Sequence, residues 1–225
     1  MNGVQYVAVM LLIAPALGAT AADAVFEKCT DNNVPGPARV DACTESIAHA
    51  DDPHTRFRAY ANRAQAYSSM ARGDLWPADM ARAIALEPDN MAAYRLRAAM
   101  YSDDNQYSEA VADLDVFLAK NPDDIEARNL RAYAHAALHH YKPAIADYDA
   151  IVRLRPDDAE TLYNRGIAHR QQRNFVRARA DFERAIALDQ SLSADFPAAC
   201  FDVVVPFTGA KRVLKNWPAC ERAKH

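Results

Sequence analysis

Between Phe57 and Leu192 the chain alternates short apolar stripes with brief polar breaks, and the stripes have helical spacing. Tyr94, Arg97, Ala98 and Tyr101 fall on one face of a helix before Asp103-Asp104-Asn105 interrupts the pattern. Ala110, Leu114 and Phe117 then form a second stripe, ended by Asn121-Pro122-Asp123-Asp124. Proline cannot continue the helix it follows, and the Asp or Asn after it is suited to cap the next. The pattern predicts antiparallel helix pairs. A shift of 34 residues lays Arg63, Arg97, Arg131 and Arg165 over one another, and likewise Asp79, Asp113, Asp147 and Asp181. Pro88, Pro122 and Pro156 also align, with Gln190 breaking that series. Ala64, Ala98, Ala132 and Gly166 form a small-residue column that lets paired helices approach closely. Tyr67, Tyr101, His135 and His169 form a bulky column three residues later.

The periodicity divides residues 57–192 into four repeats: 57–90, 91–124, 125–158 and 159–192. The first is irregular. Gly73-Asp74 comes two residues late, and Trp76-Pro77 stands where the others have a small residue, which predicts a second helix about half a turn shorter. Residues 23–56 read as a capping helical hairpin around Asn33-Val34-Pro35-Gly36-Pro37. Residues 193–225 read as a divergent cap, with an irregular Val203–Gly209 stretch and a last helix from Lys211 to Arg222. Terminal units of a repeat array lack a neighbour on one face and are usually atypical.

Composition adds a compartment to this picture. Residues 1–22 carry no charged side chain, contain the apolar run from Val7 to Ala14, and end near the small-x-small site Ala19-Thr20-Ala21. That pattern reads as a secretory signal peptide, with a periplasmic or secreted product and no membrane insertion after cleavage. Four cysteines, Cys29, Cys43, Cys200 and Cys220, lie as two pairs at opposite ends. An even count in an exported chain points to disulfides; of three connectivities, this placement favours local pairing. A net charge of −4 and a pI near 6.0, with no basic block, argue against a nucleic-acid partner.

Most residues with chemical potential follow the period. His135 and His139 have the spacing of a shared metal site, but His135 lies in the packing column and His139-His140 falls in a turn, so no metal is expected. Asp123-Asp124 and Asp157-Asp158 sit at helix starts, where carboxylates cap and oppose the helix dipole. Tyr107, Tyr141 and Phe175 begin the second helices and read as core. No catalytic constellation and no cofactor site emerges, and the chain reads as a non-enzyme.

The segments Leu162-x-x-Arg165-Gly166-x-x-His169 with Ala178-x-x-x-Phe182, and Tyr94-x-x-Arg97-Ala98-x-x-Tyr101 with Ala110-x-x-x-Leu114 and Pro122, resemble the tetratricopeptide repeat family. The resemblance runs from Phe57 to Leu192 and implies an all-α, right-handed superhelical solenoid of antiparallel helix pairs. The N-terminal hairpin resembles the cysteine-containing hairpin of exported bacterial members, with a Cys29–Cys43 bond; the tail is read as closed by Cys200–Cys220. The family pattern more often has Leu where the four arginines stand. Here Arg and Asp, sixteen residues apart, are expected to pair across the hairpin or between neighbouring repeats, as a structural ladder.

The family holds an extended peptide or protein segment on a concave face lined by first helices. The resemblance therefore implies a groove formed by Arg58, Gln65, Arg95, Ala99, Asn129, Tyr133, Tyr163, Ile167 and Arg170. The carboxylate clamp of some members is absent, because Ala61, Leu96, Glu126 and Leu130 occupy its places. The expected function is a non-catalytic scaffold in the cell envelope that binds protein or peptide through this groove. The alternative is an accessory subunit of a larger envelope enzyme or secretion complex, bound through its ends.

Overall fold

The computed structural model describes residues 21–192. Its helices are α1 (Ala21–Thr30), α2 (Gly36–His49), α3 (Pro53–Ser69), α4 (Trp76–Leu86), α5 (Met91–Asp103), α6 (Tyr107–Lys120), α7 (Ile125–Ala137), α8 (Tyr141–Leu154), α9 (Ala159–Gln171) and α10 (Phe175–Leu188). No strand occurs among the described residues. Apart from Ala21 and Ala22, which open α1, the expected signal peptide lies outside the described residues, as do the C-terminal cap and its Cys200–Cys220 pairing. The chain forms two compact units, dividing between Glu87 and Pro88.

Unit 1 contains α1 to α4, each packed on its chain neighbour, with α1 also against α3. A Cys29–Cys43 disulfide joins α1 to α2, and both cysteines are fully buried beside Ala42 and Ala59, with Val25, Phe26 and Ile47 around them. Helix α3 starts at Pro53, a full turn before Phe57, because the Asp52 carboxylate accepts the Thr55 N–H at 2.8 Å and Pro53 needs no amide partner. The boundary drawn from the columns thus falls inside α3. Helix α4 has 11 residues against 14 in α6, α8 and α10, so it is shorter by nearly a turn rather than half of one. The cause is Trp76. It takes the place of Ala110, Ala144 and Ala178, and its ring is wholly buried; residues 73–75, helical in the other repeats' register, are given up at this site.

Unit 2 contains α5 to α10 in three successive hairpins, with α5 also packed on α7. Its first helices have 13 residues and its second helices 14. Asp124 and Asp158 cap α7 and α9 by accepting from the Ala127 and Thr161 amides at 2.8 and 3.0 Å. The small column is fully buried at Ala98 and Ala132, and Gly166 admits the Phe182 ring. A β-carbon on Gly166 would stand 2.8 Å from Phe182 Cε1, so the last repeat exchanges a methyl for a larger partner.

In the four repeats, each turn from first to second helix reverses at a left-handed residue: Ala71 in unit 1, then Asn105, His139 and Arg173 in unit 2, all with φ between 56° and 60°. The next amide (Arg72, Gln106, His140 or Asn174) donates to the carbonyl of the bulky column, Tyr67, Tyr101, His135 or His169, at 2.8–2.9 Å. This six-residue closure satisfies carbonyls that the helix end would otherwise leave open.

Candidate partner-binding surface

The arginine and aspartate columns meet inside every hairpin. Arg63 donates from Nε and Nη2 to both carboxylate oxygens of Asp79 at 2.7 and 2.8 Å. Arg97 does the same with Asp113 at 2.7 and 2.7 Å, Arg131 with Asp147 at 2.8 and 2.7 Å, and Arg165 with Asp181 at 2.8 and 2.6 Å. All four aspartates are buried. The fork-on-fork geometry fixes both planes, and the hydrogen bond to Asp is the main reason that each guanidinium is held above its ordinary pKa. These residues hold helices together and leave little charge for a ligand.

A second set of bonds was legible in the sequence but hidden by the stronger column. The remaining Nη1 of Arg131 donates to Asp115 on α6 at 2.6 Å, and that of Arg165 to Asp149 on α8 at 2.7 Å. Arg131 and Arg165 therefore each bond their own hairpin and the second helix of the preceding one. In unit 1, Arg63 Nη1 donates to the Thr44 hydroxyl on α2 at 2.9 Å. Asp115 and Asp149 are themselves 34 residues apart, which is the signal that identifies them. Arg128 adds a bond to Asp147 at 3.2 Å.

Of the groove residues, Arg58 and Gln65 belong to unit 1. Arg58 is exposed, with its guanidinium 4.8 Å from the Phe26 ring centre; Gln65 is half-buried. The others belong to unit 2. Arg95 on α5 pairs with Glu126 on α7 at 3.0 Å and lies 5.8 Å from the Phe117 ring centre, so it links two first helices. Tyr133 on α7 is 55% exposed, and its ring meets Tyr107 edge-on at 5.9 Å. A hydrogen bond with Tyr133 is the main cause of the raised Tyr107 pKa. Asn129, one turn before Tyr133, is half-buried, and its side-chain amide has no partner among the described residues. Tyr163 differs from the expectation. Its ring packs on Phe182 at 5.2 Å, and with Ile167 it covers the α9–α10 core, because Gly166 leaves the Phe182 ring within reach. Arg170 is half-buried near the end of α9.

His135 and His169 sit in the packing column, His169 buried and His135 half-buried. Their Nδ1 atoms have no hydrogen-bond partner among the described residues, and burial lowers both pKa values. His139 and His140 are exposed in the α7–α8 turn, where His139 Nδ1 meets the Tyr141 hydroxyl at 2.7 Å. Among the described residues no three His, Cys, Asp or Glu side chains are grouped to hold a metal. No described helix is long and apolar enough to cross a membrane.

Residues 132–196 match the tetratricopeptide repeat family model. No curated protein matches the chain. Among solved structures, MamA from Desulfovibrio magneticus RS-1 superposes with a TM-score of 0.65 at 18% identity, covering 76% of this chain and 94% of that one. MamA MSR-1 gives 0.64 at 20% identity over 76% and 95%, and MamA AMB-1 gives 0.61 at 19% over 75% and 96%. At such identities the likeness is one of fold. The fold is thus that of a tetratricopeptide-repeat solenoid, and residues 132–196 of the chain carry the family match itself.

Proposed function

We propose that the protein is a non-catalytic scaffold of the cell envelope that holds a protein or extended peptide against the first-helix face of unit 2. The fold is one used to bring proteins together and typically carries no catalysis of its own. The observation that carries the reading is on α7: an exposed tyrosine stands one turn from an amide with no internal partner. An aromatic ring with a polar tip supplies contact area at little entropic cost, and a free amide is suited to pair with the backbone of an extended chain. The charged residues of the ladder are occupied, so recognition there rests on aromatic and amide groups.

The envelope location draws on two features: the uncharged apolar stretch from Met1 to Ala22, and the Cys29–Cys43 bond, which persists where thiols are not kept reduced. Sequencing the N-terminus of protein recovered from the periplasm tests this part. A product that retains Met1 and stays in the cytosol rejects it.

The groove is tested by placing a photo-crosslinking residue at Tyr133 and comparing capture from the envelope fraction with that of a Tyr133→Ala, Asn129→Ala variant. A discrete crosslinked partner lost in the variant supports the reading. Undiminished capture by the variant moves binding away from this face and favours the accessory-subunit alternative.

A further inference from the structure

The three turns from first to second helix in unit 2 carry different charge at equivalent positions. The α5–α6 turn and the start of α6 bear Asp103, Asp104 and Glu109; the α7–α8 turn bears His139, His140 and Lys142. From Thr161 to Ala180 there is no acidic residue at all, and five arginines occur: Arg165, Arg170, Arg173, Arg177 and Arg179. Arg165 is committed to Asp181 and Asp149, and Arg179 pairs with Glu183 at 2.7 Å. Arg173 and Arg177 are exposed and meet no carboxylate among the described residues. Between them stands Val176, 74% exposed, the most exposed large apolar side chain described. Asn174 caps α10 here, so the positive end of that helix dipole points into the same patch.

We propose that this α9–α10 turn is a docking surface for an acidic segment of a partner protein, one that presents carboxylates to Arg173 and Arg177 and an apolar side chain to Val176. Guanidinium forks match carboxylates bidentately, and the central apolar contact excludes water from the pairs. The chemistry favours a protein segment over a polyanion. The patch is one turn wide, bounded on α10 by Glu183, whereas nucleic acid needs an extended basic stripe and an anionic membrane a larger cluster. The surface is separate from Tyr133 and Asn129 and stands whether or not the groove is used.

The test is fluorescence anisotropy on the oxidised protein with a labelled peptide alternating glutamate and leucine, and with its lysine counterpart. The acidic peptide should bind and the lysine peptide should not, with affinity falling as salt is raised. The double variant Arg173→Glu, Arg177→Glu should weaken binding by about tenfold or more, as expected for reversing charges that face a complementary partner. Asp103→Lys with Asp104→Lys, at the equivalent turn of α5–α6, should not weaken it; nor should Tyr133→Ala with Asn129→Ala, which keeps this surface distinguishable from the groove. The two reversed arginines are exposed, so an unchanged thermal melt confirms that the variant is folded. Absence of acidic-peptide binding overturns the proposal, as does binding indifferent to the double reversal. Tighter binding of a single-stranded DNA oligonucleotide or of phosphatidylserine vesicles at this patch overturns the choice of partner.

Discussion

The two units use the same bidentate Arg–Asp pair inside their hairpins but join one hairpin to the next by different chemistry. In unit 2 the third N–H of Arg131 and of Arg165 reaches a carboxylate on the preceding second helix, Asp115 or Asp149. In unit 1 the same N–H of Arg63 meets the neutral Thr44 hydroxyl, and the preceding hairpin is instead tied within itself by Cys29–Cys43. A charged acceptor makes a shorter and stronger bond than a hydroxyl. The covalent link, by contrast, acts mainly by restricting the unfolded chain. Order in these hairpins thus has two sources, a charged contact to the preceding second helix in unit 2 and a cross-link within the first hairpin of unit 1.

The largest expected effect breaks the ladder in unit 2. Arg165→Ala leaves the buried Asp181 without its counter-charge and should cost about 3–5 kcal/mol, because desolvation of the carboxylate is no longer offset. Urea unfolding followed by circular dichroism reads this directly; an unchanged midpoint would refute a structural role for the ladder. Reducing Cys29–Cys43 should cost unit 1 about 3 kcal/mol in the chain-entropy model for a loop of this size. Hydrogen exchange resolves the location: protection should fall in α1 and α2 and stay unchanged in α7 to α10.

Packing offers a third comparison. Alanine normally favours a helix over glycine, yet Gly166→Ala should destabilise by about 1–3 kcal/mol, because the new methyl collides with Phe182. Adding Phe182→Leu should recover much of the loss, since Leu114 already packs in a hairpin whose small residue is Ala98. If the single variant melts higher than the parent, the close approach is wrong.

Acid should separate the units further. Burial lowers the pKa of His135 and His169 below the unfolded value of about 6.5, so the fold favours their neutral forms. Above that value the residues are neutral in both states; as pH falls from about 6.5 towards the lower folded values, the unfolded chain binds more protons and stability is lost. Asp147 and Asp115 beside His135, and Asp181 and Asp149 beside His169, oppose the shift, while Arg131, Arg165 and Arg177 reinforce it. Between pH 7.5 and 5, protection in α7 to α10 should drop more than in α1 to α4. His135→Tyr with His169→Tyr, the residue that this column holds at Tyr67 and Tyr101, should flatten the difference; an unaltered profile would assign the acid response elsewhere.

The smallest effect should be equal in both units. Ala71→Gly and His139→Gly relieve a left-handed residue and should each raise stability by about 0.5–1 kcal/mol in thermal melts. A loss at either site would show that the side chain contributes more than the strain it costs.

Periodicity made the helix pairs, the small column and the aspartate caps legible, because each depends on residues close in sequence or repeated in register. The Arg and Asp columns were legible, and so was the 34-residue spacing of Asp115 and Asp149, but it took the structure to show that Arg131 and Arg165 bond within one hairpin and to the preceding one as well. Tyr163 shows the opposite case. Its position in the repeat marks an outward residue, yet its ring turns onto Phe182 because a glycine, not an alanine, stands at 166.

What the sequence by itself determined is the architecture: the 34-residue period and the all-helical pairing. Helical spacing is a local property, and repetition multiplies it until chance no longer accounts for it. What only the tertiary structure decided is which side chains remain available. Exposure and pairing depend on neighbours distant in the chain, so it took the fold to show Arg95 occupied by Glu126, Tyr133 outward beside an unpaired amide, and Arg173 and Arg177 open at the α9–α10 turn.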